Sequence, residues 1–203
     1  MATKLTLKKT ERILFCGSKW WGDPDMPENM QYPTMEVTED GETYDYPLTF
    51  ICQINCEDIA AFDQESRLPH EGMLYFFAAI DDYIGYESPL HNPQGEWPKG
   101  RLVVKYAKTI NFETFQTCML VGDEDEQLTE QELEISFSES DNESDGILML
   151  ATDSEYDDHV KLLQICSDEV GNMDFGSGRL DIIMKDTDLK FGNWKRAKAV
   201  LKA

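Results

Sequence analysis

Apolar residues in this chain come in short blocks, not at helical spacing. Residues 48–54 (Leu-Thr-Phe-Ile-Cys-Gln-Ile) and 161–166 (Lys-Leu-Leu-Gln-Ile-Cys) are brief runs rich in branched or aromatic side chains, which predicts buried strands. Residues 73–80 (Met-Leu-Tyr-Phe-Phe-Ala-Ala-Ile) are apolar on both faces, so this strand belongs at the centre of its sheet. Helical signals are thin. Residues 56–62 predict one or two turns with Asp58 near their start. Thr129-Glu130-Gln131-Glu132 reads as a capping box opening a short helix through Glu134. Pro and Gly mark loops at 22–33 and 85–100. Residues 138–146 (Ser-Glu-Ser-Asp-Asn-Glu-Ser-Asp-Gly) predict an exposed acidic loop between two halves.

The blocks recur. Residues 47–55 reappear at 159–167, each copy ending in Gln-Ile (Gln53-Ile54 and Gln164-Ile165) before acidic residues. Residues 72–81 are echoed at 178–186, and 101–108 at 195–202, with offsets of 111, 106 and about 95 residues. Three matches in one order point to an ancient duplication. The expected fold is α+β, mostly antiparallel β, with two repeats related by a pseudo-twofold axis in one compact domain, 1–203. The halves are approximately 12–110 and 111–203.

Composition adds a core and a strong charge. The chain has 203 residues, 41% of them hydrophobic, enough for a real interior. It carries 40 acidic against 18 basic residues, net -22, unevenly placed. The 52 residues between Lys108 and Lys161 hold 16 Asp or Glu and no Lys or Arg, whereas residues 189–203 carry five basic residues and no acid. The acidic middle repels nucleic acid and suits a cationic protein partner drawn in by long-range steering, with Asp123, Glu124, Asp125 and Glu126 as its densest patch. No apolar run is long enough to cross a bilayer, and the first residues lack the apolar stretch of a signal peptide. Five cysteines without a CxxC pair read as small buried hydrophobes in a reducing, cytoplasmic setting.

Metal and catalytic signatures do not assemble. His70, His91 and His159 share no ligand spacing. Asp141, Glu143, Asp145 and Gly146 begin like a calcium loop, but Met149 and Thr152 stand where further ligands are required. No metal and no cofactor are expected, and the balance leans away from an enzyme toward a binding or interaction protein. The candidate site residues are polar or aromatic groups at special positions. Gln53 and Gln164 end equivalent apolar strands, where a buried amide must find partners. They either tie down neighbouring loops or face one cleft and bind a polar ligand. Trp20 and Trp21, followed by Gly22 and Asp23, are either recognition anchors or core plugs. Asn55 and Asp168, just beyond the two Gln-Ile pairs, complete the candidate cleft between the repeats.

Several of these stretches carry a family likeness. Residues 18–27 (Ser-Lys-Trp-Trp-Gly-Asp-Pro-Asp-Met-Pro) resemble the S-K-[FW]-G-G-x-P-x-L-P opening of the YwqG-like family. Residues 47–55 are similar to its P-L-x-F-x-x-Q-[IL]-[ND] strand, and Leu68-Pro69 with residues 72–77 to its L-P-x-x-G-x-L-x-F-F element. Residues 162–168, 175–180, 188–189 and Phe191 resemble its second half. Where that family carries an L-G-G-x-P-x-x-x-Q-like stretch, this chain has Gly146-Ile147-Leu148-Met149-Leu150. The resemblance implies a two-repeat, largely antiparallel bacterial protein of unknown activity. Because some relatives are encoded beside secreted toxins, it also implies an immunity or accessory role.

Overall fold

Residues 2–80, 92–122, 124–141, 146–152, 156–166 and 178–202 are described by the computed structural model. The first strands are β1 (Ala2–Lys8), β2 (Lys19–Trp20), β3 (Asp25–Pro27), β4 (Thr34–Glu39), β5 (Glu42–Pro47) and β6 (Thr49–Asn55). Helix α1 (Cys56–Ile59) and a 3-10 turn at 60–62 lead on to β7 (Met73–Ala78), β8 (Gly95–Glu96) and β9 (Leu102–Ala107). There follow β10 (Phe115–Thr117), β11 (Leu133–Ser140), β12 (Ile147–Met149), β13 (Ala151–Thr152), β14 (His159–Cys166) and β15 (Arg179–Lys185). Helix α2 (Asp186–Lys190), a 3-10 turn (Trp194–Arg196) and β16 (Lys198–Lys202) end the described chain. The architecture is mostly antiparallel β, with 48% strand against 9% helix among the described residues.

One curled, half-barrel sheet carries most of it, in the order β8-β16-β15-β14-β12-β1-β11-β2-β6-β7-β9, with β13 beside β14. Two ribbons, β3 with β10 and β4 with β5, lie outside it. The β4–β5 hairpin turns through Asp40 and Gly41, both at positive φ, the geometry that a two-residue Asp-Gly loop supplies. Strand β7, between β6 and β9, is buried at every position. Its two faces serve different apolar clusters. Leu74 and Phe76 join the main core with Trp20, Leu163 and Ile182, while Tyr75 and Phe77 pack with Met26 and Phe50 under the β3–β10 ribbon.

The pairings outward from the sheet centre run alike on both sides. Thr6 of β1 faces Ser136 of β11 at the middle. On one side follow β2, β6, β7 and β9; on the other β12, β14, β15 and β16. Between β6 and β7 the register slips at Ile51, and between β14 and β15 at Leu162, 111 residues on. Gln53 faces Tyr75 and Gln164 faces Asp181. The last two edges then meet. The β8–β9 link ties them, since the Trp97 N–H donates to the Ala199 carbonyl (2.9 Å) and Tyr106 packs on Trp194 with ring centroids 5.5 Å apart.

Two local expectations differ from what forms. No helix starts at Thr129. Residues 129–132 are loop, and Leu133 begins β11, whose seven pairings with β1 outweigh a marginal helical turn. Thr129 turns its hydroxyl to Asp23 and caps nothing. The run expected as a loop at 138–146 starts as strand, because Ser138–Ser140 pair with Ala2–Lys4; residues 142–145 lie outside the described residues. No helix among the described residues is long and apolar enough to cross a membrane.

Candidate functional site

Local chain geometry accounts for the first group of candidate residues. Trp21 and Gly22 both take positive φ, which folds the chain sharply after β2 and turns Asp23 and Asp25 inward. A Cβ on Gly22 would sit 2.9 Å from the Glu132 Cβ, so the approach also needs glycine. Asp25 is fully buried. Its Oδ2 accepts from the Cys16 N–H (2.9 Å) and Gln53 Nε2 (2.8 Å), its Oδ1 from Thr117 Oγ1 (2.8 Å). Lys19 Nζ lies 3.0 Å from Asp25 Oδ2 and 3.1 Å from Glu132 Oε2. Gln53 completes the knot, accepting the Asp25 N–H at 2.8 Å and donating to the Gly17 carbonyl at 2.9 Å.

Asp23 is spent in the same way, on the Leu120 N–H, Gln127 Nε2 and Thr129 Oγ1. Asn55 caps α1 by accepting the Glu57 N–H and donates to the Cys16 carbonyl. Trp20 and Trp21 are buried edge to face, centroids 5.6 Å apart, leaving neither indole as a surface anchor. A concavity of about 600 Å³ lies over this network, with Lys19, Asp23, Asp25 and Glu132 in its wall.

Gln164 lies five strands from Gln53, with β12, β1, β11 and β2 between them. Its amide oxygen accepts Lys161 Nζ at 2.8 Å, and its nitrogen donates to the Gly146 carbonyl. Both glutamines are fully buried and line none of the four pockets described. The fold places them in separate polar centres, and no cavity among the described residues holds both. Beside Gln164, buried Asp181 takes Tyr156 Oη and the Arg179 guanidinium on Oδ2. Asp168 lies outside the described residues, as does Asp123.

Glu124, Asp125 and Glu126 form an exposed turn closed by the Val121–Gln127 bridge. The Glu126 carboxylate curls back to accept the Glu124 N–H at 2.9 Å. No cation pairs with these three side chains among the described residues. Nor do three His, Cys, Asp or Glu side chains group to hold a metal there.

Sequence order hides a further concave region, which lies where the two sheet edges meet. One cavity of about 650 Å³ is walled by Met30, Val104, Lys105, Tyr106 and Trp194; a second, of about 470 Å³, by Trp97, Lys99, His159, Lys185 and Lys198. Lys195 and Arg196 border both. Some of this charge is answered: Lys198 pairs with Glu96 (2.9 Å) and Arg196 with Asp188 (3.4 Å). Lys99, Lys185 and Lys195 make no ion pair among the described residues. Lys105 donates to the Gln31 carbonyl, and its pKa is lowered first by burial and then by the charge of Lys195. Trp97 is 5% exposed, and its buried indole Nε1 has no hydrogen-bond partner among the described residues. The C-terminal basic run is the only sequence signal of this seam, because Lys99, Lys105 and Lys185 reach it from separate segments.

Residues 18–149 match the profile of a family described as a domain of unknown function, DUF1963. No curated protein matches the chain.

Proposed function

With more than half of its residues matched, the chain belongs to the DUF1963 family, and we propose that it is a binding protein that takes an anionic ligand in the basic seam. One observation carries this reading. A chain of net charge -22 gathers Lys99, Lys185 and Lys195 around two adjoining cavities and, among the described residues, gives them no carboxylate partner. Leaving like charges together costs repulsion, and an anion would relieve it. Calorimetric titration with inorganic pyrophosphate tests the reading. Binding that weakens as salt rises and vanishes in Lys185→Glu/Lys195→Glu supports it. Absence of heat at low salt, or binding indifferent to the charge reversal, would sink it.

The same positions support the two-repeat, YwqG-like reading. Strand order, the Gln positions and the 111-residue spacing of the register slips all agree with an ancient duplication. An overlay of 47–108 on 159–202 that failed to align the two Gln-bearing strands would refute it.

A second reading concerns the acidic turn, whose carboxylates have no cationic partner of their own among the described residues. A cationic protein, as in an immunity or accessory role, fits it. Replacing Asp123, Glu124, Asp125 and Glu126 by amides should then weaken capture of that protein and flatten its salt dependence. Unchanged capture would reduce the turn to a solubility feature.

A further inference from the structure

The two cavities of the seam differ in chemistry, and the difference bears on what the anion is attached to. The larger has an apolar wall made by Met30, Val104, Tyr106 and Trp194. Tyr106 and Trp194 are half-buried, so their rings are partly open to an incoming group. The smaller cavity holds the cations, two of them answered by Glu96 and Asp188 in the same wall, together with Trp97, whose indole N–H has no partner among the described residues. Lys195 and Arg196 follow Trp194 directly in the chain and border both cavities, so one ligand can span from ring to charge.

Resting on the anion reading above, we propose that the seam takes a phosphorylated planar ligand of nucleotide type. Its ring lies against Trp194 and Tyr106, and its phosphates lie among Lys99, Lys185 and Lys195. An inorganic anion alone leaves the apolar wall in water, and a bare ring leaves the cations unpaired. Each half of such a ligand answers one half of the seam. Asn29 and Gln31 also line the larger cavity, where side-chain amides can meet the edge of a base. Both volumes fall within the usual range of small-molecule sites.

Titration with three probes, ADP, inorganic pyrophosphate and adenosine, without added metal, tests the proposal. Stacking on one aromatic side chain is commonly strong enough to give about tenfold or more in affinity. ADP should therefore bind about tenfold more tightly than pyrophosphate, and more tightly than adenosine. Trp194→Ala should erase the advantage of ADP over pyrophosphate and leave pyrophosphate binding intact. Trp194→Phe, which keeps a ring and spares the packing on Tyr106, should restore part of it. Lys185→Glu/Lys195→Glu should weaken ADP and pyrophosphate alike. Pyrophosphate binding as tightly as ADP overturns the nucleotide proposal and leaves the anion reading standing; no binding of either removes both.

Discussion

Asp25→Ala should be among the most damaging substitutions in the chain, and the reason can be worked out atom by atom. The wild-type carboxylate is fully buried and receives the Cys16 N–H, Gln53 Nε2 and Thr117 Oγ1 at 2.8–2.9 Å, with Lys19 Nζ at 3.0 Å. Alanine removes every acceptor at once. The buried Cys16 N–H loses its partner, Gln53 Nε2 keeps only the Gly17 carbonyl, Thr117 can turn to water, and Lys19 keeps only Glu132. Breaking a buried charge pair from one side costs about 3–5 kcal/mol, because the abandoned groups stay desolvated. In a chain of this size each kcal/mol lowers Tm by about 2–4 °C, so the fall should be roughly 6–20 °C. Lys19→Met gives the internal comparison. There Asp25 retains its three neutral donors, and the loss should be smaller, about 1.5–3 kcal/mol. Urea unfolding followed by tryptophan fluorescence measures both, since Trp20 and Trp21 are buried beside the knot. A loss under about 1 kcal/mol for Asp25→Ala, or a larger loss for Lys19→Met, would refute the reasoning.

Three further outcomes are expected. Burial, reinforced by neighbouring carboxylates, pushes the Cys16 and Cys56 thiols up to about 12, and burial alone pushes Cys52 well above its ordinary value. An aromatic disulfide reagent at pH 8 should thus titrate at most Cys118 and Cys166 in the native protein, and rapid reaction of three or more thiols would contradict this. The same shifts set a pH dependence. Above pH ~9 the unfolded chain releases thiol protons that the folded one keeps, so stability should fall with rising pH by about 1.4 kcal/mol per unit per thiol, and a flat profile from pH 9 to 11 would be inconsistent with it. Gly72→Ala should cost more than twice Gly100→Ala in denaturant titration. Both sit near φ +90°, but a Cβ at 72 would stand 2.3 Å from the Ala107 carbonyl oxygen and at 100 meets nothing within 4 Å. Equal costs would mean that the backbone around 107 yields freely.

The strands that the chain announces most clearly are those with apolar residues on both faces. Residues 48–54 and 73–80 have this character because β6 and β7 are each covered on both sides. The centre of the sheet is written far less plainly. β11 reads Leu-Glu-Ile-Ser-Phe-Ser-Glu-Ser, and nothing local says that it lies beside Ala2–Lys8, some 130 residues away. Long-range pairing decided its state, and the same pairing overrode the helix signal at Thr129. The candidate residues were legible as groups with a task, because a polar side chain at the end of an apolar strand must be satisfied somewhere. Their task turned out to be internal for Asp23, Gln53, Asn55 and Gln164, each engaged in hydrogen bonds within the fold. The seam was illegible for the opposite reason: its lysines come from four separate stretches, and only curling of the sheet makes them neighbours.

The pairing of Thr6 with Ser136 also has a consequence in time. A ribosome adding about 5–20 residues per second delivers Ser136 roughly 6–26 s after Thr6. Through that interval β1 has neither of its neighbours, since β11 and β12 are both still to be made. β6, β7 and β9 can pair earlier, yet β2 beside them waits for the same late strand on its other edge. The nascent chain thus holds two incomplete edges apart until one late segment, 133–149, joins them. Any early cross-pairing between copies on one messenger would draw on the same waiting edges.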